Sequence, residues 1–520
     1  MKHRPRRRLI MIVLCLCTLV LTLDVSVLTV AIPPLARDLG ATPEQIQWVF
    51  DSYVLVYAGL LMTSGSLSDR FGRRRVLLIG LVVFGLSSLA ASLSASVDML
   101  IASRVAMGVG GCLIMPSTLS ILITVFDAVE RRRAIAIWTV VLMVGDIAGP
   151  TVGGLLVSAF WWGAVFLINV PVVVVAMAAA LLWMPESKGP WRKPDPLGTV
   201  LSVVGTVTLT WMIIGLPGSG VDGPRTLGLL AVAVISLGGF VVWEKRTRVP
   251  MVPLALFGDR NFSGGSLVAV LMQVGSNGLV LALPQFLQFV LGFTPAQSGL
   301  AMVPYATGMI VSGILGSRMG GKLGNRPMIV LGVLIAVCGL GVLAIASPVS
   351  GYGLIAVSLT LFGLGGGFSA PAASNALMSA VPEERAGVGS ALNDTVQQVG
   401  AAFGVAVLGS VLAAGFSAAM PASAPGEARA SINGALAVAN RTGDAALAHA
   451  ARDAFASGMS VTALAGAGVA LIAAIVGFVL VRDHKGSRQR PAEPVAETAL
   501  NGECSESSHS ARMITRLDAV

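Results

Sequence analysis

Long apolar runs, separated by short polar segments, fill most of this chain. A bilayer core about 30 Å thick needs about 20 apolar residues per helix. Runs of that length fall at 9–33, 46–66, 76–96, 98–122, 133–158, 162–184, 196–216, 226–243, 264–291, 298–320, 327–347, 353–378, 388–416 and 458–481. The pattern predicts an all-α integral membrane protein with fourteen transmembrane helices. The opening MKHRPRRR before an apolar run is similar to a secretory signal. The run is too long for one, however. It also contains Asp24 and ends in Pro33-Pro34 without a small-residue cleavage site, so it is read as the first span. Between the last two spans, 417–457 reads as an Ala-rich outer loop of weak helical character. Residues 482–520, polar and with SESSHS near their end, read as a disordered tail.

Composition agrees with that class. The chain is 55% hydrophobic and 12% charged, with mean hydropathy +0.83, whereas soluble domains run near 25% charged. The 61 glycines suit helices packed closely in lipid. The five cysteines make no disulfide or zinc framework: Cys15, Cys17, Cys112 and Cys338 lie in apolar runs and Cys504 is alone in the tail. The formal charge of +9 would suit nucleic acid if it were spread over a soluble face. Instead, about 29 of the 35 Lys and Arg residues fall in the termini and the even-numbered loops. The basic balance is therefore topological. It places both termini in the cytoplasm, the chain in the cell (inner) membrane, and no nucleic acid among its partners.

The chain also repeats itself after about 255 residues. MGVGGCLIMPSTLS from Met107 aligns with FGLGGGFSAPAASN from Phe362, so that Gly108, Gly110, Gly111 and Pro116 fall on Gly363, Gly365, Gly366 and Pro371. VGDIAGPTVGG from Val144 aligns with VGAAFGVAVLG from Val399, and SDRFGRRRVLLIG from Ser68 with GGKLGNRPMIVLG from Gly320. The shift implies two six-helix bundles, 9–184 and 264–481, with two helices and their linkers inserted over 185–263. Duplicated bundles around a midplane site are the architecture of secondary transporters.

Four carboxylates fall inside spans: Asp24, Asp51, Asp146 and Asp394. A charge at the bilayer centre costs about 2.5–3.5 kcal/mol even on the mildest insertion scale. At 1.5 Å per residue, Asp24 lies roughly 13 Å below the outer end of its helix and Asp146 near mid-depth, while Asp51 and Asp394 are about 7 Å from a face. Depth therefore ranks Asp24 and Asp146 as the residues kept for function, with an ion pair to Arg104 or a hydrogen bond to a neighbouring helix as the structural alternative. A buried carboxyl whose access alternates can trade a proton for a cation. His3, His449, His484 and His509 all lie outside the spans, which argues against a histidine relay. An apolar cavity with few polar groups is expected. Trp138, Asn393, Gln273 and Asn277 are among its candidate lining residues.

GSLSDRFGRRR, Gly65 to Arg75, resembles the loop signature of the major facilitator superfamily, G-x-L-x-D-R-x-G-R-[KR]-[KR]. The resemblance implies a conformational latch made by Gly65, Asp69, Arg70, Gly72 and Arg73. Gly145, Gly149, Pro150, Gly153 and Gly154 resemble the fifth-helix antiporter signature of drug–proton exporters. Arg104 and Gly108 resemble a fourth-helix signature in which a buried Arg is linked to proton transfer. LTLDVSVLTVAIPP and WVFDSYVLVYAGLL are similar to the first and second helices of the fourteen-span drug:H+ antiporters. There, the acid in the place of Asp51 belongs to the drug-binding set. Two departures bear on substrate. Met309 stands where relatives that take divalent cations carry an acid, and Asn393-Asp394 replaces a pair of adjacent acids. Asp146 occupies a place usually held by a small residue.

The resemblance implies a monomeric antiporter that exports hydrophobic, cationic drugs or antibiotics and is driven by the proton gradient, with no cofactor. Proton coupling would rest on Asp24, Arg104 and Asp146. Substrate binding would rest on Asp24, Asp51, Asp394, Trp138 and Asn393. The alternatives are an exporter of narrow range, for a cellular metabolite or a self-made antibiotic, and a non-transporting receptor. ATP-driven transport would need a G-x-x-x-x-G-K-[ST] loop and catalysis a metal-ligand cluster or soluble domain. None of these is in the sequence.

Overall fold

A computed structural model describes residues 4–126, 128–188, 195–220, 223–247, 250, 252, 254–348, 350–381 and 386–482. For some helical positions, Asp146, Arg131, Arg132 and Arg133 among them, it describes the backbone alone. The expected tail lies outside the described residues.

All regular structure among the described residues is helical: α1 (Arg4–Leu39), α2 (Pro43–Phe71), α3 (Arg73–Ser92), α4 (Val97–Val125), α5 (Ala128–Ala159), α6 (Ala164–Leu167), α7 (Asn169–Trp183), α8 (Pro196–Ser219), α9 (Pro224–Arg246), α10 (Arg260–Gln285), α11 (Pro295–Leu300), α12 (Val303–Leu323), α13 (Asn325–Ala344), α14 (Gly351–Ser379), α15 (Ala386–Ala419), α16 (Gly426–Ala430), α17 (Ile432–Thr442) and α18 (Ala445–Leu480). Starts are set by local chemistry. Thr42 and Thr294 form capping boxes with Gln45 and Gln297, each with proline at the first helical position. Asp195, Asp259 and Asp444 accept from the first free amides of α8, α10 and α18. Near the end of α10, Pro284 removes a backbone donor, and the chain continues as a π-helical turn over Phe286–Val290.

Twelve described helices are long and apolar enough to cross a membrane, or thirteen when α2 counts as one span. The expectation of fourteen is met only this far, for local reasons. α2 bends by 56° between Pro43–Leu61 and Thr63–Phe71, and α5 adds only the shorter apolar segment Ala148–Ala159. The outer loop expected over 417–457 is mostly helix. α18 starts at Ala445 rather than 458, and α17 buries Ile432, Ala435, Val438 and Ala439.

The largest apolar core is built from α1–α7 and receives Leu281, Ala401, Ala402 and Val405 from later helices. Two further cores and a small cluster of Phe262, Leu377, Val381 and Leu392 lie in the second half. The repeat is visible in the packing. A Cβ on Gly108 would meet the Tyr53 carbonyl oxygen at 2.8 Å, and one on Gly363 would overlap the carbonyl of Tyr305. Gly110 likewise lies on Phe84 of α3, and Gly365 on Gly332 and Ala336 of α13. Tyr53 and Tyr305 stand at the same offset as Ser68 and Gly320. Helix α8 packs on α2 and α15: the Thr63 and Thr199 hydroxyls are 2.7 Å apart, and Ser410 donates to the Ile213 carbonyl at 3.1 Å. α9 lies outside α8 and is mostly exposed.

Candidate functional site

Asp24 does not face open space. Its Oδ2 receives Arg104 Nη1 at 2.5 Å, and both side chains are fully buried. Its Oδ1 receives Asn169 Nδ2 at 2.8 Å, and the same amide reaches Ser88 Oγ at 3.1 Å. Arg104 also donates through Nε to the Val49 carbonyl at 3.0 Å. Its guanidinium carbon sits 4.3 Å from the centre of the Tyr53 ring and 5.9 Å from that of Phe166. A buried charge is tolerable when it is paired and hydrogen-bonded, and six helices (α1, α2, α3, α4, α6 and α7) surround this pair. The cost that Asp24 raised in the sequence is met by the ion-pair alternative.

Between the halves lies a cavity of about 390 Å³. Thr22, Ser26 and Thr29 of α1 line it. So do Asp51, Tyr53 and Tyr57 of α2, Gln273 and Asn277 of α10, Tyr305 and Met309 of α12, and Phe362 and Ser369 of α14. Asp51 is fully buried, and neither carboxylate oxygen has a hydrogen-bond partner. An acceptor left unpaired away from water costs its full desolvation, which makes Asp51 the cavity group most in need of a proton or a cation. Tyr53 and Tyr57, which line the same cavity, stack on each other with ring centres 5.9 Å apart. Met309, at the place where an acid would suit a divalent ligand, gives this wall a thioether instead.

The other candidates are placed differently. Asp24 and Arg104 are not on the cavity wall, and neither are Asp394, Asn393 and Trp138. Asn393 donates to Asp394 Oδ1 at 3.4 Å, a long bond that leaves Asn393 Oδ1 unpartnered. Trp138 is buried in α5 with Nε1 unpartnered. The side chain of Asp146 lies outside the described ones. Gln273 and Asn277 do line the cavity, and Asn277 Nδ2 donates to the Gln273 carbonyl at 3.0 Å.

The glycine-rich stretch of α5 is a packing surface. A Cβ on Gly145 would overlap Thr22, and one on Gly149 would overlap Ser26. On Gly153 it would lie 2.6 Å from the Val27 carbonyl oxygen, and on Gly154 it would overlap the Pro295 carbonyl. The first three contacts join α5 to α1; the last reaches α11 in the other half. Pro150 faces Gly299 there, Thr151 Oγ1 donates to the Gly299 carbonyl at 3.3 Å, and Ala296 N donates to Ser158 Oγ at 3.0 Å. At the same end, Gln288 in the π-helical turn donates to the Val30 carbonyl at 3.0 Å, and Asn433 of α17 to that of Ala36 at 2.8 Å. These bonds close the two halves together at the end where α1 stops.

The loop between α2 and α3 is pinned from several sides. Arg73 grips Asp69 through Nη2 at 2.8 Å and Nε at 3.0 Å and reaches the Ser120 carbonyl at 3.3 Å. Gly72 has φ 111°, in the region that favours glycine, and a Cβ there would sit 2.7 Å from Glu186 Cδ. Glu186, just beyond α7, accepts from Arg74 N at 3.0 Å, and Arg73 N donates to the Ser187 carbonyl at 2.9 Å. Gly65 lies beside Pro116, and the Arg70 guanidinium lies 5.0 Å from the Phe71 ring centre.

The profile of the Major Facilitator Superfamily matches residues 14–405. The chain is 33% identical over 470 residues to the multidrug efflux pump LfrA of Mycolicibacterium smegmatis, covering 88% of this chain and 93% of that protein. It is 35% identical over 393 residues to the tetracenomycin C resistance and export protein of Streptomyces glaucescens, covering 75% and 73%. In fold it is similar to a bacterial homologue of the human lysosomal transporter Spinster, solved in an inward-facing, unoccupied conformation. The TM-score is 0.67 at 20% identity, covering 92% of this chain and 98% of that one.

Proposed function

The chain belongs to the major facilitator superfamily of multi-pass membrane transporters, and from that premise we propose that it is a proton-coupled antiporter. On this reading it carries hydrophobic cationic drugs or antibiotics out of the cytoplasm. The observation that carries the reading is Asp51, a buried and unpartnered carboxylate on the wall of an otherwise largely apolar cavity. Such a group holds a proton or a cation but not both, so alternating its access exchanges one for the other. The matching of LfrA over nearly its whole length supports drug efflux as the direction of use.

The same reading counts the bent α2 and α5 as spans, giving fourteen, with α8 and α9 inserted between two six-helix halves. The basic loops place both termini in the cytoplasm. The chain acts as a monomer in the cell membrane, and the proton gradient drives it without a cofactor. A narrower exporter dedicated to one self-made antibiotic is the second reading, favoured by the similarity to the tetracenomycin C export protein.

Everted vesicles from cells expressing the full chain test both. Ethidium, a quaternary ammonium compound and a panel of antibiotics are added to energised vesicles while a dye follows the pH gradient. Compound-dependent loss of the gradient, abolished by Asp51→Asn, is the expected result. A response to one antibiotic alone selects the narrow reading. A response that survives Asp51→Asn removes Asp51 from the mechanism.

A further inference from the structure

The buried pair and the cavity are separate places joined by one ring. Around Asp24 and Arg104 stand the Val49 carbonyl and Tyr53 of α2, Ser88 of α3, Met107 of α4, Phe166 of α6 and Asn169 of α7. Of these, only Tyr53 also lines the cavity. It follows Asp51 on the same helix by two positions, and its carbonyl is locked against Gly108. One side of its ring carries the Arg104 guanidinium at 4.3 Å. Arg104 Nη2 has no hydrogen-bond partner among the described residues, and beyond Asp24 the guanidinium is held by the Val49 carbonyl and this ring.

We propose that Tyr53 is a positioning residue that transmits occupancy of the cavity to the Asp24–Arg104 pair. The inference rests on the antiport reading above. A planar cation held at Asp51 packs against the Tyr53–Tyr57 stack and draws on the same electron-rich ring that Arg104 uses. Two cations on one ring repel. The ligand therefore drives the guanidinium fully onto Asp24, which must then be ionised. With the cavity empty, Arg104 leans on the ring and Asp24 is released to take a proton.

The test uses the purified full chain in lipid nanodiscs, with ethidium as probe. Ethidium binding is read by fluorescence and proton release by a pH dye at low buffering. In Tyr53→Leu, ethidium affinity falls about tenfold or less, the scale of one lost cation–π contact. Protons released per ethidium bound fall at least about twofold, and in an Asp24→Asn background the same substitution adds nothing. Tyr53→Phe, which keeps the ring, restores the release. If Asp24→Asn does not fold, the double variant Asp24→Asn/Arg104→Gln serves as the background, since it removes the whole pair and strands no charge. Unchanged protons per bound ethidium in Tyr53→Leu would overturn the proposal, as would an equal effect in both backgrounds. Ethidium binding by the wild type with no proton release sinks the antiport reading itself, and is distinguished from the first failure because it needs no variant.

Discussion

Arg104 holds Asp24 at 2.5 Å where neither side chain has any exposure, while Asp51, on the neighbouring helix, has no hydrogen-bond partner among the described residues. Two carboxylates of equal burial thus have opposite environments. One is bound into the scaffold and the other is open to whatever enters the cavity.

Their neutral variants should therefore part company in stability. Removing one member of a buried pair strands the other charge and costs about 3–5 kcal/mol, so Asp24→Asn lowers the thermal midpoint of the detergent-purified protein sharply. Asp51→Asn replaces an unpaired buried acceptor with a group that is cheaper to bury and leaves the midpoint level or raises it. Equal losses in the two variants would contradict the environments described above.

The cavity wall also sets the charge of its ligands. Asp51 is the one carboxylate lining it among the described residues, and Met309 faces it from α12. The wild type should favour monocations, and Met309→Asp should improve export of a bis-quaternary compound relative to ethidium by about tenfold, or about 1.4 kcal/mol. Resistance ratios in cells expressing matched amounts of each protein decide this. A ratio that does not move would mean that Met309 is only a packing residue.

Closure between the halves depends on a backbone approach at Gly154 and Gly299. A methyl on Gly154 overlaps the Pro295 carbonyl, and overpacking of this kind costs about 1–3 kcal/mol. Gly154→Ala should therefore part α5 from α11. Alkylation of a cysteine placed by Ser298→Cys should then speed up, because Ser298, fully buried in α11, becomes accessible as α11 moves off. An unchanged rate would place the stress elsewhere.

The α2–α3 loop offers a milder case. Asp69 is partly exposed, while Arg73 is buried and is also held by the Ser120 carbonyl, so losing the Asp69 charge leaves the guanidinium a partner and costs less than breaking the fully buried Asp24–Arg104 pair. Asp69→Asn should leave the thermal midpoint within a few degrees while slowing transport. Gly72→Ala should be worse on both counts, since it adds backbone strain and a clash with Glu186. Transport rates per molecule and midpoints measured on the same preparations separate the two effects.

How much of this was legible beforehand depended on whether a property belongs to one helix or to several. Span positions, the repeat and the expense of Asp24 are properties of single runs, and Arg104 could be named as its alternative partner. Depth carries no information about which way a side chain turns, so it could not single out Asp51, the one carboxylate on the cavity wall among the described residues. Asn169 went unnoticed, although an amide in LINVPVVVV is the same kind of signal as an acid in LTLDVSV. Tyr53 gave no signal, since an aromatic in an apolar helix looks like packing. Around α17 the helical character reads as weak because alanine blurs apolar contrast, yet Ile432, Ala435, Val438 and Ala439 keep a helical period.

The glycine seams at Gly108 and Gly363 have one more consequence. Each lets a tyrosine-bearing helix slide close beside its neighbour, in both halves and at matching positions. At the offsets of the repeat, however, Asp51 corresponds to Val303 and Arg104 to Leu359. The duplication is thus mechanical without being chemical. Both halves inherit the same bearing surface, but only the first carries ionisable groups at these positions. In the proposed cycle, the charge at these positions changes in one half alone, and the second half can serve as an electrically silent counterweight against which the first one turns.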